Sequence, residues 1–247
     1  MIAAENPAVR VGLIRAVAWS GAVEKLRGTV PAEDDLRLEW EGAGLLTPEG
    51  ELVADWARAL RVTQDSLAGS QVVSVFDGVV FSATLFRLDD DLVCVTARAT
   101  HDESGQIDAV HPLLEVALGP AADPWLLLRR VLPPLDELRA DPRETRPGEA
   151  APLSLNGVEI PEQLRADPSR GAEVAQLPTL PAAVADAVDP RATVFTYTLR
   201  GDGGRAQQSN RAWALGKKDL YRVEPDTAQV LQVPTGDIGH LLSTALL

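Results

Sequence analysis

The chain has 247 residues, 45% of them hydrophobic, with 36 acidic against 23 basic side chains and a formal net charge of −13. That apolar share supports a substantial core, as one large domain or two small ones, and excludes disorder over most of the length. The acidic balance opposes duplex binding, which needs a basic face to displace counterions.

In chain order, Asn6-Pro7 predicts a helix start, because proline suits the first turn and has no amide to waste. That helix is expected to reach about Lys25 or Arg27, with Val9, Leu13 and Val17 on its apolar side. Residues 40–46 open a second block, and Thr47-Pro48-Glu49-Gly50 reads as a turn or helix start. Leu52, Val53, Trp56, Ala57 and Leu60 then follow helical spacing. From Val72 the period changes. Phe81, Ala83 and Leu85 alternate with Val80, Ser82 and Thr84, the mark of a half-buried strand. Asp89, Asp90 and Asp91 repel one another and are expected in water at a hairpin tip. Residues 92–100 resume the strand, 101–105 make a second turn, and 106–118 give further strand, so the turn spacing predicts an antiparallel meander. Asp123-Pro124 predicts a helix capped by the carboxylate, with Leu127, Leu128, Val131 and Leu132 on one side. Pro133-Pro134 ends or kinks it, and Leu135 and Leu138 suggest that it resumes. Residues 141–152, DPRETRPGEAAP, read as a linker or exposed loop, and short helical pieces are expected at 161–166 and 181–188.

VFSATLFR at 80–87 and VFTYTLRG at 194–201 stand 114 residues apart. The same offset carries Pro120 onto Pro234, Asp123 onto Asp237, and Leu127, Leu128 and Leu132 onto Leu241, Leu242 and Leu246. This predicts an α+β fold of two pseudo-repeated antiparallel β-meanders, each closed by a helix, in a pseudo-twofold arrangement with additional helices. The halves are 1–140 and 153–247, joined by 141–152, as one compact pseudo-symmetric domain. The competing account is coincidence, since identity is sparse and Leu92-Val93-Cys94 falls on Ala206-Gln207-Gln208. Whether the two sheets join edge to edge or pack separately stays open.

Chemistry is sparse. GDGGR at 201–205 lacks the lysine and hydroxyl of a phosphate loop and precedes strand, so it reads as a hairpin. The Asp89–91 run has no second ligand set and reads as a solvated turn. His101, His111 and His240 have no zinc-ligand spacing. Cys94 is the only cysteine, so an internal disulfide is excluded, and its place in a strand suggests a buried structural thiol. No catalytic residue, metal or cofactor is assigned, and the chain reads as a non-enzyme. Neither a signal-peptide pattern nor an apolar run of about 18–20 residues occurs, so a soluble cytoplasmic protein without membrane insertion is expected. Binding remains. Trp213 stands between Arg211 and Lys217, with Tyr221 in the same meander, a grouping suited to an acidic partner or, alternatively, to core filling. Edge strands of an open meander also invite a partner strand.

The segments EGAGLLTPEGELVADWARALRV, VVFSATLFRLDDDLVCVTARA and PWLLLRRVLPPL, in that order, resemble the EspG family associated with ESX (type VII) secretion. The close of the chain, DLYRVEPDTAQVLQVPTGDIGHLLSTALL, is similar to that family's end, although Asp226-Thr227 lacks the arginine-containing segment that usually follows. The resemblance implies a pseudo-twofold α+β fold. It also implies a cytoplasmic chaperone-adaptor, without cofactor or catalysis, that keeps a helical secreted protein or PE–PPE-like pair soluble before export. Partner contacts are then expected at the hairpin tip His101, Asp102 and Glu103, with Trp213 and Tyr221 on the other sheet. Two other readings stand beside it: a small-molecule-binding or enzymatic domain with a site between the halves, and a self-associating module that forms a homodimer.

Overall fold

The computed structural model describes residues 9–27, 35–66, 68–102, 106–145, 150–153, 171–202, 205–224 and 229–246. The first half runs β1 (Val9–Arg15), α1 (Ala16–Lys25), α2 (Arg37–Gly42), α3 (Ala54–Asp65), β2 (Ala68–Phe76), β3 (Val79–Leu88), β4 (Asp91–His101), β5 (Ile107–Val110), β6 (Leu113–Pro120), α4 (Trp125–Val131) and α5 (Asp136–Arg139). The second runs β7 (Ala151–Pro152), α6 (Gly171–Val174), α7 (Ala182–Val188), β8 (Ala192–Asp202), β9 (Arg205–Leu215), β10 (Leu220–Glu224), β11 (Gln229–Val233) and α8 (Asp237–Leu246).

All eleven strands belong to one sheet in the order β1-β6-β4-β3-β2-β8-β9-β10-β11-β7, with β5 paired beside the end of β4. The halves therefore join edge to edge. β2 and β8 pair antiparallel without a break from Ala68↔Arg200 to Phe76↔Ala192. Read from either edge to this seam, the order is the same: an edge strand, the last strand of a meander, then its three earlier strands. On that symmetry β2 answers to β8, β3 to β9, β4 to β10, β6 to β11 and α4 to α8. The offset of 114 suits β6 with β11 and α4 with α8, but it matches β3 to β8, which both flank β2. The β4–β5 hairpin, which has no counterpart among the described strands, takes up the shift.

Local chemistry accounts for the turns. Asp77 and Gly78 both adopt positive φ, 50° and 71°, the two-residue hairpin loop whose twist matches its flanking strands. Asp89 also sits at φ 52°, which aspartate tolerates. Asp89 and Asp90 are exposed as expected. Asp91 corrects the expectation for the third carboxylate. It is buried and receives Arg58 at 2.5 Å and Arg61 at 3.5 Å from α3, which supply the charge partners that burial demands.

Over residues 9–25 the predicted helix is a strand followed by a helix. Residues 9–15 pair with β6, with a register shift between Arg10 and Gly12, and Ile14 is buried. Apolar residues at 9, 13 and 17 satisfy a helical period, but the ladder offered by β6 overrides it. Gly12 is needed there, because a Cβ would lie 2.6 Å from the Trp56 ring. The α3 helix matches its prediction. The α4 helix forms without the expected cap: its first turn makes no side-chain capping bond, and Asp123 instead pairs with Arg143 at 2.8 Å. Residues 141–145 do not run free. Arg143 bridges Asp123 and Asp141, and Thr145 meets His240 of α8 at 3.2 Å. Ala151 and Pro152 then pair with β11 as the outer edge strand. The helix expected at 161–166 and the glycines 203–204 lie outside the described residues, although β8 and β9 stay paired through Asp202↔Arg205.

Two cores sit on opposite faces of the sheet. On one, α4, α5 and α8 cover residues of both halves, among them Val72, Leu85, Val194, Trp213 and Leu215. On the other, α1, α2 and α3 cover the first half only, with Trp19, Trp40, Trp56 and Leu60 against Val93, Val116 and Leu118. Each fully buried leucine or valine contributes about 1.5–3 kcal/mol. The second core leaves the centre of its face open. Among the described residues, no helix is long and apolar enough to cross a membrane.

Candidate partner-binding face

β8 is built inside out. Val194, Thr196 and Thr198 point to the face covered by α4 and α8 and are buried. Phe195, Tyr197 and Leu199 point the other way, and Phe195 and Leu199 remain 44% and 41% exposed. Three of the hydroxyls turned inward are satisfied: Ser70 and Thr198 bond each other at 2.9 Å, and Ser74 donates to the Val131 carbonyl at 3.0 Å. Burying these polar groups while leaving a phenylalanine in water runs against the usual alternation of an antiparallel sheet.

The register shows what surrounds the exposed rings. Phe195 lies in the row Ser82–Val73–Phe195–Ala212, and beside it runs Val80–Val75–Thr193–Ala214. The next row on the other side is Thr84–Gln71–Tyr197–Asn210. These three rows carry no charged residue, in a chain where 24% of residues are charged. The strip crosses the seam between the halves, with the α3 packing on one side and α7, which packs on β9, on the other. Asn210 adds a polar feature: its side-chain oxygen is buried without a hydrogen-bond partner. An uncharged surface with exposed apolar side chains at its centre and neutral polar residues around them has the character of a contact surface.

His101 and Asp102 lie at one end of the strip. The His101 amide donates to the Gly78 carbonyl at 3.1 Å, which ties the β4–β5 tip to the β2–β3 turn. The imidazole Nδ1 lies 2.9 Å from the Asp102 carbonyl, and the Asp102 carboxylate accepts the Gln106 amide at 3.0 Å. β5 is exposed throughout, with Ile107 at 53% and Val110 at 67%. Glu103 lies outside the described residues.

Trp213 and Tyr221 correct the expectation of a surface role. Both are buried, at 1% and 0% exposure, and offer no ring to a partner. Trp213 lies on the covered face beside Val194, and its indole N–H donates to Asp237 at 2.8 Å. The Tyr221 hydroxyl donates to Asp186 of α7 at 3.1 Å. Burial first, then the Asp186 carboxylate, holds that hydroxyl above its ordinary pKa. Lys217, one of the neighbouring cations, is committed to Asp189 at 2.9 Å. The signal for the actual strip was present at 194–199, where hydroxyls and large apolar side chains alternate, but periodicity alone assigns the apolar set to the core.

Burial pushes the Cys94 thiol up to about 11, so it stays protonated and is a poor nucleophile. No group of three metal-ligating side chains gathers among the described residues. The seam is a continuous ladder, so the halves meet there through paired strands.

Compared whole, the chain is similar to EspG5, the chaperone of the Mycobacterium tuberculosis type VII secretion system, solved in complex with the PE25-PPE41 dimer. The match covers 97% of this chain and 94% of that one, with a TM-score of 0.51 and 12% identity. The chain shares the EspG5 fold. At 12% identity the likeness is one of fold, and the strip stands on this chain's own residues. An N-terminal dehydratase from the difficidin assembly line, at a TM-score of 0.15 and 8% identity, carries no argument. Neither a protein-family profile nor a curated protein matches the chain.

Proposed function

We propose that this chain is a non-catalytic cytoplasmic binding protein of type VII secretion, which holds a helical secreted protein, or a PE–PPE-like pair, soluble before export. One observation carries the reading: an uncharged strip centred on exposed Phe195 and Leu199 lies open across the seam, on a fold shared over its length with a chaperone solved in complex with the PE25-PPE41 dimer. The physical task is to cover the apolar end of a helical bundle that would otherwise aggregate. Phe195, Tyr197 and Leu199 supply the central contact, the class of residue that dominates binding energy at the middle of an interface. His101 and Asp102 form the rim at the β4–β5 tip, and Glu103 follows them in sequence. Trp213 serves the same site from the opposite face by holding α8, and Tyr221, which continues the row of Thr193 and Ala214, serves it by holding α7.

The test is co-purification of the tagged chain from its own cells, with mass spectrometry of what elutes in stoichiometric amount. A secreted helical protein or pair is expected at about one to one. The double substitution Phe195→Ser with Leu199→Ser, on surface positions, is expected to leave the circular dichroism unchanged and to weaken capture at least about thirtyfold. Recovery of the chain alone, from cells shown to express the substrates, overturns the chaperone reading. Capture undiminished by the double substitution overturns the assignment to the strip.

A further inference from the structure

A cavity of about 280 Å³ opens on the other face of the sheet, between β4, β6, α4 and α5. Phe81, Cys94, Ala117, Leu127 and Val131 give it an apolar floor. Three guanidinium groups, Arg98, Arg130 and Arg139, stand around it with a single carboxylate, Glu115. Glu115 accepts Arg130 at 2.6 Å and lies 3.7 Å from Arg10, so its one charge is already shared. Arg98 holds its guanidinium carbon 5.2 Å above the Phe81 ring, and among the described residues no carboxylate meets it. Arg139 donates through Nε at 3.0 Å and through an Nη to the Leu132 carbonyl, which fixes its plane. It too meets no carboxylate among the described residues. Burial, then the charge of Arg129, presses its pKa below the ordinary guanidinium value, the mark of a cation short of counter-charge. Two arginines that meet no carboxylate among the described residues share one hollow in a chain whose net charge is −13.

We propose that this hollow binds a small organic anion, a carboxylate on a short apolar body. The planar forks of Arg98 and Arg139 grip a planar carboxylate, and the floor takes the apolar part. The volume lies at the small end of ligand pockets and admits a single-ring acid. The site lies on the face opposite Phe195 and does not rest on the chaperone reading, so either stands if the other fails.

The experiment is a titration of the full chain with sodium benzoate at constant ionic strength, following the arginine Nε–H resonances by NMR. Benzamide, a neutral isostere, and inorganic phosphate are run beside it. Saturable one-to-one shifts at Arg98 and Arg139 with benzoate, and none with benzamide, are expected. Arg98→Gln, at an exposed position, is expected to weaken benzoate about tenfold without altering the fold. Shifts that never saturate, an equal response to benzamide, tighter binding of phosphate, or unchanged affinity in Arg98→Gln would each overturn the proposal.

Discussion

Asp186 illustrates how much one side chain organises. One oxygen accepts the Lys217 amide at 2.7 Å; the other accepts the Asp219 amide at 3.2 Å, the Lys218 amide at 3.3 Å and the Tyr221 hydroxyl. A single carboxylate on α7 thereby holds the β9–β10 turn. Burial acts to raise its pKa, but the three amides and the hydroxyl together outweigh it and leave the group below the usual carboxylate range. Asparagine keeps the shape but turns an N–H toward these donors. Asp186→Asn is therefore expected to cost about 2 kcal/mol at pH 7, read from urea unfolding midpoints. The sign with pH follows from the depressed value. The wild type's advantage is full above the unfolded carboxylate pKa of about 4 and is lost as pH falls through the lower folded value. The two midpoints should converge below about pH 4; a constant gap there would show that the charge is irrelevant.

At the scale of elements, α8 depends on strands more than on its own start. Asp237 in its first turn is held by Trp213 from β9 and by Arg222 from β10. Phenylalanine at 213 keeps most of the buried ring and removes the donor. Trp213→Phe should lower stability by about 1–2 kcal/mol, and amide hydrogen exchange should quicken in residues 237–246 more than in α3. Equal loss of protection in both helices would contradict this coupling. The elements also differ in how openly the sequence declares them. The α3 helix buries Trp56, Ala59, Leu60 and Val62 along one face, and its spacing alone announces it. β1 is not announced, because a strand whose ladder among the described residues comes from β6, about a hundred residues away, has no local signature.

The whole molecule is organised by the β2–β8 seam. Backbone bonds run through it, and the core under α4 and α8 draws on both halves, so neither half has a boundary at which to separate. One cooperative transition is expected, with far-ultraviolet dichroism and tryptophan fluorescence superimposing in urea. Two resolved transitions would mean that the halves are independent domains. A fragment of residues 1–140 would bare the β2 edge and the Val72 side of the core, and should aggregate rather than fold.

Periodicity and turn residues by themselves determined the class of fold, the antiparallel strands between 80 and 118 and the closing helices, because these depend on neighbours a few residues apart; the β2–β3 turn at Asp77-Gly78 was not among them. The buried thiol at Cys94 was legible for the same reason. Tertiary structure alone decided which strands answer to each other across the seam and that Asp91 turns inward to Arg58, and it chose core filling over partner contact for Trp213 and Tyr221. It also decided that Phe195 faces out, since which face of a strand is covered depends on where distant helices pack. The α1–α3 group covers only the first half, and that incomplete cover, invisible in the alternation of 194–199, is what leaves the strip open.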